Sequence, residues 1–313
     1  MHYSLRRLLP GLLLGLGTAL AAPLAPAARA DAGHTHVLWN NTNGAISLWT
    51  VSPDTGFTHA EYGPYTGWAA VSLSEGPDGS THVLWSHGSD GQISVWNVAP
   101  GGAFAFQNFG PYAGWRGVAL ATGADGTSRV LWDHAGDGQM SLWNLDTGTG
   151  TFTHAEYGPY VGWTPYAVAA GGGDTQILWR KTDGTVSGWL VTPDGAFQHL
   201  EFGPYTGMSV PALSAGLDGT DSLLASSETG LIVLLTVNFT THTSGFRPYS
   251  PPGAGWAASA VTTGTDGASH VLWNHAGDGR MSLWDLDNGA GSDTHAEYGP
   301  YSGWTAIGVS AGP

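Results

Sequence analysis

Six times along this chain the same punctuation returns, and that spacing limits the fold more than any single residue does. The unit is plainest at 68–114, WAAVSLSEGPDGSTHVLWSHGSDGQISVWNVAPGGAFAFQNFGPYAG, after which Trp115 begins it again. Its first positions are Trp68, Trp115, Trp163, Met208, Trp256 and Trp304, a mean period of about 47 residues.

Within the unit, WAAVSLSEG alternates small apolar and small polar residues up to a turn at Pro77, Asp78 and Gly79. STHVLWSH follows as a β-rich run, and Asp90-Gly91 separates it from QISVWNV. Asp-Gly between two alternating segments signals a hairpin, because both residues tolerate positive φ. Pro100, Gly101 and Gly102 then turn the chain into AFAFQNF. Four short antiparallel strands per repeat make one propeller blade. A β-trefoil would show three units instead of six phases, and a parallel β-helix would need no hairpin inside each repeat.

The two ends complete each other. The chain finishes with GWTAIGVSAGP, a first strand without successors, and residues 31–49, DAGHTHVLWNNTNGAISLW, supply later strands without a first. Joined, they match GWAAVSLSEGPDGSTHVLW at 67–85. Residues 304–312 are therefore expected to pair with the strand around Val37 to Trp39, closing an all-β, six-bladed β-propeller through both termini. The blade starting at Met208 is irregular: Ala225 and Leu235 replace tryptophans, and Arg247, Pro248 and Tyr249 replace Gly-Pro-Tyr. Met208 and Leu235 keep apolar volume, which points to core roles for these two positions.

Arg6 and Arg7, an apolar run at 8–20 and the triplet Ala28, Arg29, Ala30 mark residues 1–30 as an export signal, by the Sec or the Tat route. The apolar run is shorter than the ~20 residues a spanning helix needs. Residues 31–313 are then one secreted or extracytoplasmic domain. Cleavage leaves six basic residues against 24 acids, a formal charge of −18 compared with −15 for the whole chain. That balance disfavours nucleic acid and anionic membranes as partners. There is no cysteine, so strand pairing must do what a disulfide does in many exported domains.

Alternation of strand direction brings the loop between strands two and three and the exit of strand four to one edge of each blade. The loops carry His87 and Asp90, His134 and Asp137, Lys181 and Asp183, and His275 and Asp278. The exits and the crossovers that follow carry His59, Glu61, Tyr65 and Trp68; His154, Glu156, Tyr160 and Trp163; His199, Glu201 and Tyr205; and His295, Glu297, Tyr301 and Trp304. Aromatic faces pack on the C–H side of a pyranose while carboxylate and imidazole bond its hydroxyls. Repeated weak sites on one disc can raise avidity by ~10²–10⁴.

Each feature also has a structural reading. Asp-Gly pairs are hairpin turns first, and the Gly-Pro-Tyr segments can serve as rigid crossovers whose tyrosines cover neighbouring blades. His and Glu two apart share a strand face, where a hydrogen-bonded pair is favoured over a metal, so no metal or cofactor is assigned. No Gly-x-Ser-x-Gly, HExxH or phosphate-binding glycine loop occurs.

At LW, DGxxSLW and GPYxGW the chain resembles tryptophan-rich β-propeller repeats of secreted bacterial proteins, and more loosely the tectonin-type and fungal fucose-binding propeller lectins. The resemblance implies a propeller over residues 34–313 and a carbohydrate-binding role. Fucose-binding propellers repeat an Arg, Glu and Trp set, whereas here Arg116, Arg129, Arg180, Arg247 and Arg280 serve only some units, so fucose specificity does not carry over. The expected function is a secreted, non-catalytic, multivalent carbohydrate-binding propeller with glycan or glycoconjugate partners. The alternatives are a protein-interaction or envelope scaffold with structural aromatics, and an exported hydrolase or lyase.

Overall fold

The computed structural model describes residues 3–4 and 34–311, except 53–55, 89, 172, 206, 217–218, 228–229, 265–266 and 288–292. No helix occurs among the described residues, and none is therefore long and apolar enough to cross a membrane. Six antiparallel sheets carry four strands each, as the repeat requires. The first strand of each sheet lies beside those of the sheets before and after it, so six first strands surround one axis. The expected export signal lies outside the described residues apart from the backbone of Tyr3–Ser4, which runs parallel to Phe197–Phe202 at one sheet edge.

Blade 1 joins the termini as the sequence implies. Trp304–Ala311 pairs with Thr35–Asn41, with Val309 opposite Val37 and Ala306 opposite Trp39, and Ile46–Ser52 and Gly56–Tyr62 complete the sheet. The register slips between Leu38 and Trp39, and every other first-to-second pairing slips at the matching place. A bulge of this kind increases local twist, which suits blades that must splay around an axis.

The core lies between blades. Leu38, Ile46 and Leu48 of blade 1 pack on Val83, Trp85 and Trp96 of blade 2, and equivalent layers fill the other joints. A second strand such as Thr81–His87 is buried on both faces for most of its length, because a neighbouring blade covers each side. In blade 5, Leu235 and Met208 pack into the apolar layer shared with blade 4, the core role expected of them. Near the axis, hydroxyls link successive blades: Ser74 Oγ accepts the Thr122 N–H at 2.8 Å, and Ser214 Oγ accepts that of Thr263 at 2.8 Å.

Candidate functional site

The crossovers decide where the candidate residues go. After strand four the chain enters a Gly-Pro-Tyr segment that lies across its own blade's second-to-third loop, the N–H of Tyr65 donating to Gly44 O at 3.2 Å and that of Tyr160 to Gly138 O at 2.8 Å. The segment then passes to the next blade and opens its first strand with the tryptophan. The tyrosines follow this path: Tyr65 meets Trp85 and Trp96 of blade 2 edge-on at 5.4 and 5.3 Å, and Tyr301 meets Trp39 and Trp49 of blade 1 at 5.6 and 5.4 Å. They cover neighbouring blades, as their structural reading anticipated.

The HxEYGPYxGW stretch is therefore divided between two adjacent clefts. His59 and Glu61 line a cleft of about 160 Å³ with Trp39, Ser47, Trp49, Phe57 and the strand-opening Trp304 of their own blade, and with Tyr301 from the preceding crossover. Tyr65 and Trp68 line the next cleft, with Trp85, Ser94 and Trp96 of blade 2. His154 in blade 3 likewise lies against Trp143, which Tyr112 approaches, and His199 in blade 4 lies against Trp189, which Tyr160 approaches.

Register places the polar groups of a cleft in rows across the blade. In blade 1, Trp39, Ser47 and Glu61 are successive cross-strand partners, and the neighbouring row holds Trp49 and His59. Blades 3, 4 and 6 repeat the first row as Trp132, Ser141 and Glu156; Trp179, Ser187 and Glu201; and Trp273, Ser282 and Glu297. Phe57 stacks on Trp49 with centroids 3.9 Å apart, Phe152 on Trp143 at 3.9 Å and Phe197 on Trp189 at 4.1 Å, so in blades 1, 3 and 4 a flat aromatic stack stands beside the polar row. In blade 6 His295 itself stacks on Trp284, at 5.0 Å.

The inner end of these rows has unspent hydrogen-bonding capacity. Trp39, Trp85, Trp132, Trp179 and Trp273 are fully buried, yet their indole N–H groups have no acceptor among the described residues. Ser94, Ser141 and Ser187 hydroxyls also lack partners, whereas Ser47 and Ser282 accept from the indoles of Trp49 and Trp284 at 3.1 and 3.0 Å. An unmade buried hydrogen bond costs about 1–3 kcal/mol, so its recurrence in five blades calls for a chemical reason. The serines and inner tryptophans were not among the sequence candidates. A serine in an alternating strand reads as solvent-facing, and only register reveals its place beside the glutamate.

The loop candidates behave differently. His87 Nδ1 lies 2.8 Å from Asp90 Oδ2, His134 Nδ1 lies 2.7 Å from Asp137 Oδ2, and His275 Nδ1 lies 2.8 Å from Asp278 Oδ2. The Gln92 N–H and the His87 ring hold the Asp90 carboxyl below its usual range. His87 and His134 rings lie 4.9 Å from those of Trp68 and Trp115, and Lys181 sits over Trp163 at 4.4 Å. These pairs brace the loops, and none lines the two clefts described for blades 1 and 2. No group of three or more His, Asp or Glu that could hold a metal ion occurs among the described residues.

Similar folds occur in the SapL1 lectin in complex with alpha methyl fucoside (13% identity, 88% of this chain and 98% of that one, TM-score 0.52) and in AofleA from Arthrobotrys oligospora (10% identity, 91% of each chain, TM-score 0.53). The Pseudomonas aeruginosa periplasmic gluconolactonase PpgL is similar as well (12% identity, 88% and 99%, TM-score 0.53). The likeness is one of fold. No protein-family model matches the chain, and no curated protein does.

A separate feature lies at the other end of the first strands. Their C-terminal ends surround an axial cavity of about 310 Å³ to which Glu75 contributes the single acid among the described residues, Thr122, Ala170, Ala215, Thr263 and Ala311 occupying the matching positions. Glu75 Oε2 is 3.2 Å from His36 Nε2. Burial, helped by the nearby Asp78 charge, pushes the Glu75 carboxyl up to about 7. Burial, helped by His34, pushes His36 down to about 4.

Proposed function

We propose that this protein is an exported, non-catalytic, multivalent carbohydrate-binding propeller. The observation that carries the reading is the repeated cleft, in which a flat aromatic wall stands beside a Ser-Glu edge and a buried indole N–H without an acceptor. A pyranose presents one C–H face to the wall, and its hydroxyls supply the acceptors and donors that the row lacks. The glutamates are exposed and the stacked phenylalanines partly so, which leaves each cleft open to a terminal sugar. The carboxylates recur with the repeat, as binding groups of a multivalent protein do, and a rigid ring holds the clefts at fixed spacing, so multivalent glycoconjugates gain avidity. The likeness of fold to a lectin bound to a fucoside is compatible with this reading and does not select the sugar.

A glycan array probed with residues 31–313, with and without chelator, tests the reading. The expected result is chelator-insensitive binding that is lost when Glu61, Glu156, Glu201 and Glu297 are all replaced by alanine in a protein that still melts cooperatively. A blank array, or binding that survives those changes, contradicts it.

The axial Glu75 and His36 favour a second reading, catalysis of hydrolysis or elimination by an unrepeated acid. Turnover abolished by Glu75→Gln, with glycan binding unchanged or absent, would put this reading first.

A further inference from the structure

The clefts are not chemically equal. In blade 2 the row that ends in glutamate in blades 1, 3, 4 and 6 ends in Asn108 beside Ser94, and the position of the histidine holds Phe106 beside Trp96. Imidazole and carboxylate are exchanged together for a neutral amide and a third aromatic ring. The cleft is also larger, about 240 Å³ against about 160 Å³ in blade 1.

Phe104 stacks on Trp96 at 4.3 Å, and Phe106 lies 6.4 Å from both rings. Phe106 is 57% exposed, so the aromatic wall runs outward past the space one sugar ring covers. At the inner end, Trp85 and Ser94 are more than nine-tenths buried, and neither the indole N–H nor the hydroxyl has a partner among the described residues. A purely apolar ligand would leave these groups and Asn108 unserved, whereas a free hexose would leave Phe106 in water.

We propose that the blade 2 cleft binds a neutral glycoside with an aromatic aglycone. The sugar lies against Phe104, which is 39% exposed where it stacks on the buried Trp96, with hydroxyls toward Ser94 and Asn108, and the aglycone covers Phe106. This inference rests on the carbohydrate reading and deepens it by giving one of the sites its own ligand class.

The test is titration calorimetry of residues 31–313 with methyl and phenyl β-D-glucopyranoside and β-D-galactopyranoside. It is run on the unaltered chain, on Phe106→Ala and on Phe106→His with Asn108→Glu, which installs the side chains of the sister clefts. Covering an exposed ring with a phenyl group corresponds to about a tenfold gain in affinity. The expected result is a phenyl glycoside bound about tenfold tighter than its methyl counterpart at one site per chain, with the gain lost in both variants. Phe106 is more than half exposed, so its removal is expected to leave the melting curve unchanged. Equal affinities, or a phenyl preference that survives Phe106→Ala, overturn the inference. Binding of phenol alone at that site, with no gain from the sugar, overturns it as well. If methyl glycosides bind in the sister clefts without any phenyl preference, only this inference fails. If none of the four glycosides binds while the array shows a bound glycan, only this inference fails, and if the array is blank as well, the carbohydrate reading fails with it.

Discussion

The side chain of Ser310 accepts the backbone N–H of Glu75 at 3.0 Å, joining residues 235 apart in sequence. It is the same link that Ser74 makes to Thr122 and Ser214 to Thr263, here across the joint that closes the ring. Removing residues 304–313 takes away this bond and a whole strand, exposing the edge of Thr35–Asn41. The truncated chain is expected to lose its single cooperative melting transition and to aggregate, whereas Ser310→Ala, followed by denaturant titration, is expected to cost about 1 kcal/mol.

The blade 3 crossover lies so close over Gly138 that a side chain there has no room. At Gly138, φ is +76° and a Cβ would lie 1.9 Å from Tyr160 O, while at Gly136, φ is +83° with nothing within 4 Å. Gly136→Ala is therefore expected to cost about 1 kcal/mol from backbone strain alone. Gly138→Ala must also push the Gly-Pro-Tyr crossover off the blade, and the loss is expected to reach about 3 kcal/mol or more. Similar losses for the two variants in denaturant titrations would contradict this role of the crossover.

Acidity at the axial cavity is expected to show in stability. Folding raises Glu75 to about 7 from an ordinary 4.5, so the folded state holds this proton more tightly and stability falls as pH rises between those values. His36, lowered to about 4 from 6.5, acts the other way and loses stability as pH falls through that window. Facing charges come from His34 and Asp78. Glu75→Gln is expected to melt several degrees above the unaltered protein at pH 8, with no difference at pH 4, where both side chains are neutral. Equal melting temperatures at pH 8 would show that the buried carboxylate costs nothing.

What could be read in the sequence was local or periodic. Asp90-Gly91 and Pro77-Asp78-Gly79 mark turns by backbone chemistry alone, and the match between 304–313 and the strand positions before His34 gave the closure its register. The division of each HxEYGPYxGW stretch was not legible, because it depends on which way a crossover passes from blade to blade. Glu61 and Trp68 are seven residues apart, yet line different clefts, while Glu61 and Trp304 share one. Phe106 and Asn108 stood in plain view, since aligning AFAFQNF on the following Gly-Pro-Tyr sets them at the places of His59 and Glu61, and their pairing with Trp96 and Ser94 agrees.

Counting sites decides whether each sugar site is assembled from one blade and the crossover before it. Calorimetric stoichiometry with a glycan selected by the array is compared for Glu156→Ala, for Glu156→Ala with Trp115→Ala, and for Glu156→Ala with Trp163→Ala, each shown to melt cooperatively. Glu156 and Trp115 belong to the blade 3 cleft, and Trp163 packs with Trp179 and Trp189 in blade 4. The first two proteins are each expected to lose one site per chain and the third to lose two. Two sites lost with Trp115 and one with Trp163 would mean that each site is built from a contiguous HxEYGPYxGW stretch, and would contradict the account.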